Sequence, residues 1–356
     1  MKKLLQIFLI LSSIITVTTA RASHVMGSDI TYKCLGNGKY EVTVTVYRDC
    51  NGVTLSNSPI SARCATGAGA ATFSIPEVSV RDITGIDQRC TTQSRCSGSY
   101  TYGIEEHVFK GVIDLSALNC CEIILSWEQC CRNGAITTGA ANANFYTEAR
   151  LNKCINPCNS SPTFTSAPAA LICVGQDFTF NNGALDTVDV GDSLSFKFIE
   201  PLQAQGSTIG YSGSWSATSP ITFLGFPNTA LNHPAGFRLD SATGDISFRP
   251  TVQNQVTVLV LEVTEWRKIN GIMTKIGVTR RDMQIIVVNC PNNKVPKIAG
   301  KNEVACAGQQ VCIDITTDDA DNNDTVKISW NRGIPRATFT HTNGAKRLAT
   351  GSVCWT

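Results

Sequence analysis

The sequence predicts an all-β protein, built as tandem antiparallel β-sandwich domains of immunoglobulin or cadherin type that disulfides staple. Three observations lead there. Short runs of alternating apolar and polar residues recur along most of the chain, separated by Gly, Asn, Asp, Ser and Pro, and nothing reads as a long helix. One stretch is written twice. Sixteen cysteines follow an export-type N-terminus, a composition that favours disulfides over reduced thiols or zinc ligands.

The doubled stretch sets the domain organisation. Cys173-Val174-Gly175-Gln176 opens the first copy, which alternates through Phe178 and Phe180, carries Asp186, Asp189 and Asp192, and closes on Leu194 and Phe196. Cys306-Ala307-Gly308-Gln309 opens the second, which alternates through Val311, Ile313 and Ile315, carries Asp318, Asp321 and Asp324, and closes on Val326 and Ile328. Further on, Ala242-Thr243-Gly244-Asp245-Ile246-Ser247-Phe248 is echoed by Ala349-Thr350-Gly351-Ser352-Val353-Cys354-Trp355. A period this long points to tandem domains, each with its own core, and not to a solenoid.

The N-terminus reads as a signal peptide over residues 1–22. Lys2 and Lys3 precede an apolar run from Leu4 to Val17, and Ala20-Arg21-Ala22 supplies a cleavage site. The run is too short for a lasting anchor, and no later stretch is apolar enough to span a bilayer, so no membrane span is expected in the mature chain. Removing Lys2, Lys3 and Arg21 takes the formal charge from 30 − 28 = +2 to 27 − 28 = −1. Near-neutrality without a basic run argues against nucleic acid as a partner.

Residues 23–160 form the first unit, a Cys-rich β domain with eleven of the cysteines. Strands are expected over 29–33, 40–47, 71–75, 107–115, 122–127 and 145–151. Gly36-Asn37-Gly38 makes a hairpin turn, because these residues tolerate positive φ. Residues 161–290 form the second unit, which closes on β-branched runs at 256–263 and 283–288. Residues 291–356 form a truncated repeat of the same sandwich that stops before the counterparts of those runs, so it should expose sheet edges.

Comparing the copies suggests cysteine partners. Cys312 aligns with Thr179 and Cys354 with Ser247, a joint gain that favours a Cys312–Cys354 bridge. Cys173 opens the second unit and Cys290 ends it, so a first strand beside the last would join them; closing so long a loop stabilises by roughly 4–5 kcal/mol in the entropic model. By the same logic Cys34 meets Cys158, and Cys306 looks for a partner past residue 356. Local pairing, such as Cys306 with Cys312 or Cys90 with Cys96, is the competing scheme. The adjacent pairs Cys120-Cys121 and Cys130-Cys131 should each bridge to two different places, since neighbours on a strand face opposite ways.

Candidate chemistry is sparse. Asp186, Asp189 and Asp192, with Asp318, Asp321 and Asp324, could converge on calcium, which takes six to eight oxygens; the other reading is that Asp, Asn and Gly make turns. Between Asp192 and Thr243 the second unit holds a long insertion with Tyr211, Trp215, Phe223, Phe226 and Phe237, which either present a recognition surface or plug the sandwich end. Glu105, Glu106 and His107 read as a solvated strand entry or a metal cluster. His24, His107, His233 and His341 are scattered, and no acid, base and nucleophile are arranged for catalysis, so no enzyme is expected.

Scattered motifs then carry a likeness. Ala22-Ser23-His24-Val25-Met26-Gly27, Ile30-Thr31-Tyr32, Tyr47-Arg48-Asp49-Cys50, Cys130-Cys131-Arg132-Asn133, Ser161-Pro162-Thr163-Phe164, Gly191-Asp192-Ser193-Leu194 and Arg281-Asp282-Met283-Gln284 resemble the N-terminal region of large gliding-motility-associated bacterial surface proteins, the cargo of type IX secretion. The defining C-terminal sorting domain of that group is absent from these residues. The resemblance implies a secreted or cell-surface adhesin-like protein that meets an extracellular protein or glycan surface, with no catalytic residues to carry over. It also offers Asp240-Ser241-Ala242 as a sugar attachment point, although a plain turn is the reading the residues favour. The alternative expectation is a carbohydrate-binding accessory region of a larger secreted enzyme.

Overall fold

The computed structural model describes residues 24–356 except 56–57, 85–93, 99–100, 169–170, 190, 292, 331 and 335; the predicted signal peptide lies outside the described residues, as does Cys90. Every regular element described is a strand. The first eight are β1 (Val25–Gly36), β2 (Lys39–Asp49), β3 (Ser58–Cys64), β4 (Ala70–Ile75), β5 (Glu77–Asp82), β6 (Ile104–Asp114), β7 (Glu122–Gln129) and β8 (Phe145–Asn152). Then come β9 (Thr163–Phe164), β10 (Leu171–Cys173), β11 (Phe178–Asn181), β12 (Ala184–Leu185), β13 (Ser193–Ile199), β14 (Leu202–Ala204), β15 (Ser207–Thr208), β16 (Phe237–Leu239), β17 (Asp245–Phe248), β18 (Val256–Ile269) and β19 (Ile272–Val288). The chain finishes with β20 (Lys297–Gly300), β21 (Val311–Asp318), β22 (Thr338–His341) and β23 (Thr350–Trp355).

The expected hairpin joins β1 to β2 through Gly36, Asn37 and Gly38, whose φ values of 85°, 51° and 73° are all left-handed. Along β2, Tyr40, Val42, Val44 and Val46 are buried while the residues between them are less so, the period-2 signature of a half-buried strand. Beyond the expected strands, β3 and β5 add to the same unit.

Strands of residues 23–160 and 161–290 share one sheet of fourteen strands. Its path runs β4-β3-β7-β8-β19-β1-β2-β6-β5, with β19 between β8 and β1 and also paired to β18 and β10. The sheet curls on itself: Ile75 at the end of β4 lies over Gly111 of β6, where an added Cβ would stand 2.7 Å from its Cγ2. Inside the curl sits a core of Ile30, Tyr40, Val44, Ile60, Phe109, Trp127 and their neighbours. Where β1 crosses β19, Gly27 lies so close to the Asp282 carbonyl that no side chain fits.

The shared sheet is fastened by buried charge. Arg132, 1 % exposed, holds Asp282 through two hydrogen bonds of 3.1 and 2.7 Å and lies 4.4 Å above the Phe145 ring. Arg281 of β19 pairs with Asp29 at 3.2 Å and donates to the Tyr47 hydroxyl at 2.8 Å. Burial pushes both carboxyls up, and the two guanidiniums oppose that shift. Met26, Tyr47, Leu171, Val258 and Ile286 pack together across the same junction. The linker joins in, with Ser161 Oγ accepting from Tyr32 N at 2.8 Å.

Three strands of the second unit have counterparts in the third. A three-stranded sheet β11-β17-β16 in the second unit has its counterpart in β21-β23-β22 in the third. The register also agrees: Thr179 opposes Ser247 as Cys312 opposes Cys354, and Arg238 opposes Ser247 as Thr338 opposes Cys354. In the second unit this small sheet packs Phe178, Phe237, Ile246 and Phe248 against Leu259, Met283, Ile285 and Val287 of β18 and β19.

Seven bridges join fourteen cysteines, among them Cys34–Cys158, Cys173–Cys290 and Cys312–Cys354. Cys173 reaches Cys290 because β10 runs parallel to the end of β19, placing Cys173 opposite Val288. The adjacent pair Cys120-Cys121 divides as expected, to Cys64 and Cys154. Cys130-Cys131 does not: the two bond each other. Cys96 takes Cys50 as its partner and not Cys90, and Cys306 is free and exposed, so the local Cys306–Cys312 alternative fails.

Candidate functional site

Two carboxylate clusters form, with memberships that differ from the aspartate triplets. In the second unit Asp186, Asp192 and Glu265 place ligand-type oxygens within 4.8 Å of one another. Asp189 stands aside, accepting from Ser160 N at 2.7 Å and facing Arg267 at 3.5 Å. Arg267 grips both Asp192 oxygens at 2.6 and 2.7 Å. Asp186 Oδ1 accepts from the N–H groups of Val188 and Asp189, an Asx-type turn, while its Oδ2 is buried with no hydrogen-bond partner. Thus both readings of the triplet hold in part: it builds the turn, and it leaves one carboxylate oxygen unsatisfied.

Glu265 is the member that the triplet does not contain. It lies on β18, fully buried, with Asn159 Nδ2 donating to its two oxygens at 3.1 and 3.3 Å. Burial, with Asp186, Asp192 and Asp189 nearby, pushes its carboxyl up to about 9 despite the Asn159 bond. Burial also raises Asp186. The cluster sits where the 159–161 linker crosses β18.

In the third unit Asp319, Asp321 and Asp324 come together, and Asp318 does not, because it ends β21 opposite Lys297. Asp319 Oδ1 accepts from Asp321 N at 2.8 Å, and Asp321 Oδ2 from Lys294 N at 2.5 Å. Of the three aligned triplet positions, only that of Asp192 and Asp324 contributes to both clusters. A β18 counterpart, which would supply an equivalent of Glu265, is not among residues 291–356.

Three of the insertion's rings, Phe223, Phe226 and Phe237, lie in or against the second unit's core. Phe223, 1 % exposed, and Phe237, 5 % exposed, stack in the second unit's core at 5.6 Å between centroids. Phe226 packs on Phe223 at 5.4 Å. Tyr211 is half-buried and donates to the Val258 carbonyl at 2.8 Å, and half-buried Trp215 donates its indole N–H to Thr222 at 3.3 Å. An aromatic-rich loop closing a sandwich end buries its rings for the same reason that any core does.

Glu105, Glu106 and His107 are neither a solvated strand entry nor a free metal triad. Glu106 accepts two bonds from Arg81, at 2.6 and 3.0 Å. Buried His107 lies between Glu77, 2.6 Å from Nδ1, and Glu105, 3.2 Å from Nε2, and Glu105 also engages Arg48. Asp240 makes the turn: its Oδ1 accepts from Ala242 N and Thr243 N at 2.8 and 2.9 Å, and these bonds hold its carboxyl below the usual range.

One groove of about 410 Å³ opens in the third unit, lined by Ile328, Trp330, Phe339, His341 and the cations Lys327 and Arg332. Sequence reasoning missed it; Trp330, aligned with Phe198, was the available signal. Among the described residues, no helix is long and apolar enough to cross a membrane. The chain matches no family model, no curated protein and no solved structure.

Proposed function

We propose that this chain is an exported, adhesin-like structural and binding protein of the secreted or cell-surface kind, in which stapled immunoglobulin- or cadherin-like units act as spacers that carry recognition surfaces. The observation that carries the reading is the set of seven bridges across an all-strand chain, which belongs in an oxidising compartment. The leader-like N-terminus and the motifs resembling type IX secretion cargo point the same way. The carbohydrate-module alternative loses its main support, because Phe223 and Phe226 are spent on the core. The reading is tested by expressing the precursor in a gliding bacterium and sequencing the extracellular product. A chain starting at Ser23 with Cys173 linked to Cys290 is expected; a cytoplasmic chain with reduced thiols would overturn it.

Calcium belongs to the same proposal, at Asp186, Asp192 and Glu265 in place of the original triplet. Three carboxylates in one place, one with a buried unsatisfied oxygen, are better satisfied by a hard cation than by one another. The mature chain should melt several degrees higher in millimolar calcium than in chelator, and Glu265→Gln should abolish the difference. An unchanged melt together with flat calorimetry removes the metal from the proposal.

A further inference from the structure

The β18–β19 hairpin reaches past the sheet that carries it. β13 stops pairing with β18 at Ser193 opposite Trp266, and β8 stops pairing with β19 at Leu151 opposite Gly277, whereas β18 and β19 go on pairing with each other to Ile269 opposite Ile272. Among the described residues, no third strand pairs with 267–275. Asn270 and Gly271 make the turn, both left-handed with φ of 51° and 85°. A two-stranded overhang is only marginally stable in water, and this one is apolar at its apex. Ile272 is 70 % exposed, Met273 is 50 % exposed and Ile269 is half-buried.

Cations follow the apex. Residues 267–275 hold Arg267, Lys268 and Lys275 and no acid, in a mature chain that is slightly acidic as a whole. Arg267 is spent on Asp192 and Asp189, which lie behind the tip. Lys268 and Lys275 are exposed, and no ion pair holds either among the described residues. The register sets these residues in layers. Ile269 and Ile272 form the apex pair, Lys268 stands opposite Met273 one step back, and Lys275 stands opposite Trp266 at the base, where Ser195 Oγ accepts from the indole N–H at 2.8 Å.

The same end of the sheet carries a second tip. β1 runs antiparallel to β19 with Gly27 opposite Met283 and Asp29 opposite Arg281, and continuing that register puts Leu35, 50 % exposed, about level with Lys275. Lys33 and Lys39 beside it oppose Glu41 and Asp114, so this tip adds apolar surface and little net charge. The chain leaves β19 after Val288, roughly 50 Å along the strand from Ile272, so residues 291–356 connect at the opposite end.

We propose that the β18–β19 tip docks on an anionic phospholipid surface: Ile269, Ile272 and Met273 enter the boundary between headgroups and acyl chains, while Lys268 and Lys275 meet the phosphates. The layering selects the lipid. In a bilayer the apolar phase lies beneath the anionic phosphates, so a hairpin arriving end-on meets the two in the order in which its own residues run. An acidic protein would be met by the lysines without isoleucine and methionine exposed in front of them. Entry is shallow, which leaves the hairpin's outer N–H and C=O groups behind the apex in water. Docking of this kind adds a mode of attachment to the cell-surface reading, and its failure would leave that reading standing.

The test is flotation of the mature chain 23–356 with vesicles, in chelator so that calcium plays no part. Vesicles of phosphatidylcholine with one-third phosphatidylglycerol should carry the chain upward at low salt, and pure phosphatidylcholine should bind it roughly tenfold more weakly. Hydrogen exchange over 267–275 should slow with the anionic vesicles. Ile272→Asp with Met273→Asp should abolish flotation, and Lys268→Gln with Lys275→Gln should weaken binding roughly tenfold. All four side chains are exposed, so an unchanged melt is expected; should a variant not fold, the two vesicle compositions with the unaltered chain keep the test intact. Failure to float with anionic vesicles overturns the proposal, as does equal flotation with both compositions or flotation that survives the aspartate pair. Protection of 267–275 by polyglutamate in place of vesicles would make the partner an acidic protein, and protection that rises with protein concentration alone would make it a second copy; either also overturns it.

Discussion

The second and third units run a three-stranded sheet in the same register, yet they are cross-linked differently. In the second, β11-β17-β16 is covered by β18 and β19, which are themselves strands of the fourteen-stranded sheet shared with residues 23–160. In the third, β21-β23-β22 has β20 paired to β21 at its edge. The second unit is clasped end to end by Cys173–Cys290, while the third is pinned within its small sheet by Cys312–Cys354.

The comparison can be broken most forcefully at the clasps. Replacing Cys173 and Cys290 by Ser frees a separation of 117 residues, and the entropic model gives a loss of about 5 kcal/mol; the same change at Cys312 and Cys354, 42 apart, gives about 4 kcal/mol. Urea unfolding followed by hydrogen exchange of each unit should show the two losses in different units. Next is the backing: Arg132→Met strands Asp282 without its partner and should cost about 3–5 kcal/mol, unfolding residues 23–160 and 161–290 in a single transition. Two separate transitions in calorimetry would contradict the shared sheet.

A smaller change sharpens the likeness. Thr179→Cys with Ser247→Cys places cysteines at the register position that Cys312 and Cys354 occupy. Oxidation should lower the mass by two hydrogens and stabilise the second unit by about 2–4 kcal/mol. Last comes a contrast in pH. Glu265 has its carboxyl raised from 4.5 to about 9 in the folded chain, so the folded state holds a proton that the unfolded state has released, and stability falls as pH rises through that window. The slope is at most about 1.4 kcal/mol per pH unit. Glu265→Gln should flatten it, as measured by unfolding at pH 5, 7 and 9 without calcium.

Much of the fold was legible because strand period and turn chemistry are local. Tyr40 to Val46 alternate in sequence and in burial, and Gly36-Asn37-Gly38 turns as its residues demand. The Cys312–Cys354 bridge was readable for a different reason: paired gains between two copies expose a register that a single copy hides. Sequence did not reveal that residues 23–160 and 161–290 share a sheet, since β1 and β19 pair across some 250 residues and nothing local encodes which edges meet. The motifs Cys131-Arg132-Asn133 and Arg281-Asp282 held the clue, because those two arginines bind across that junction. Glu265 escaped for the same reason; it joins Asp186 and Asp192 only once β18 is folded beside β13. The aromatics of the insertion stayed open between surface and plug because hydrophobic residues in a long loop carry no periodicity to say which way they face.

The clasps also set what happens under tension. Cys34–Cys158 and Cys173–Cys290 span 124 and 117 residues, so a pull applied to the two ends travels through sulfur and leaves those segments slack-free. At about 3.4 Å per extended residue, roughly 800 Å of contour is withheld until a reductant acts. Under load the carboxylate cluster of Asp186, Asp192 and Glu265 therefore stays inside a closed loop, at nearly fixed spacing from Cys173 and Cys290.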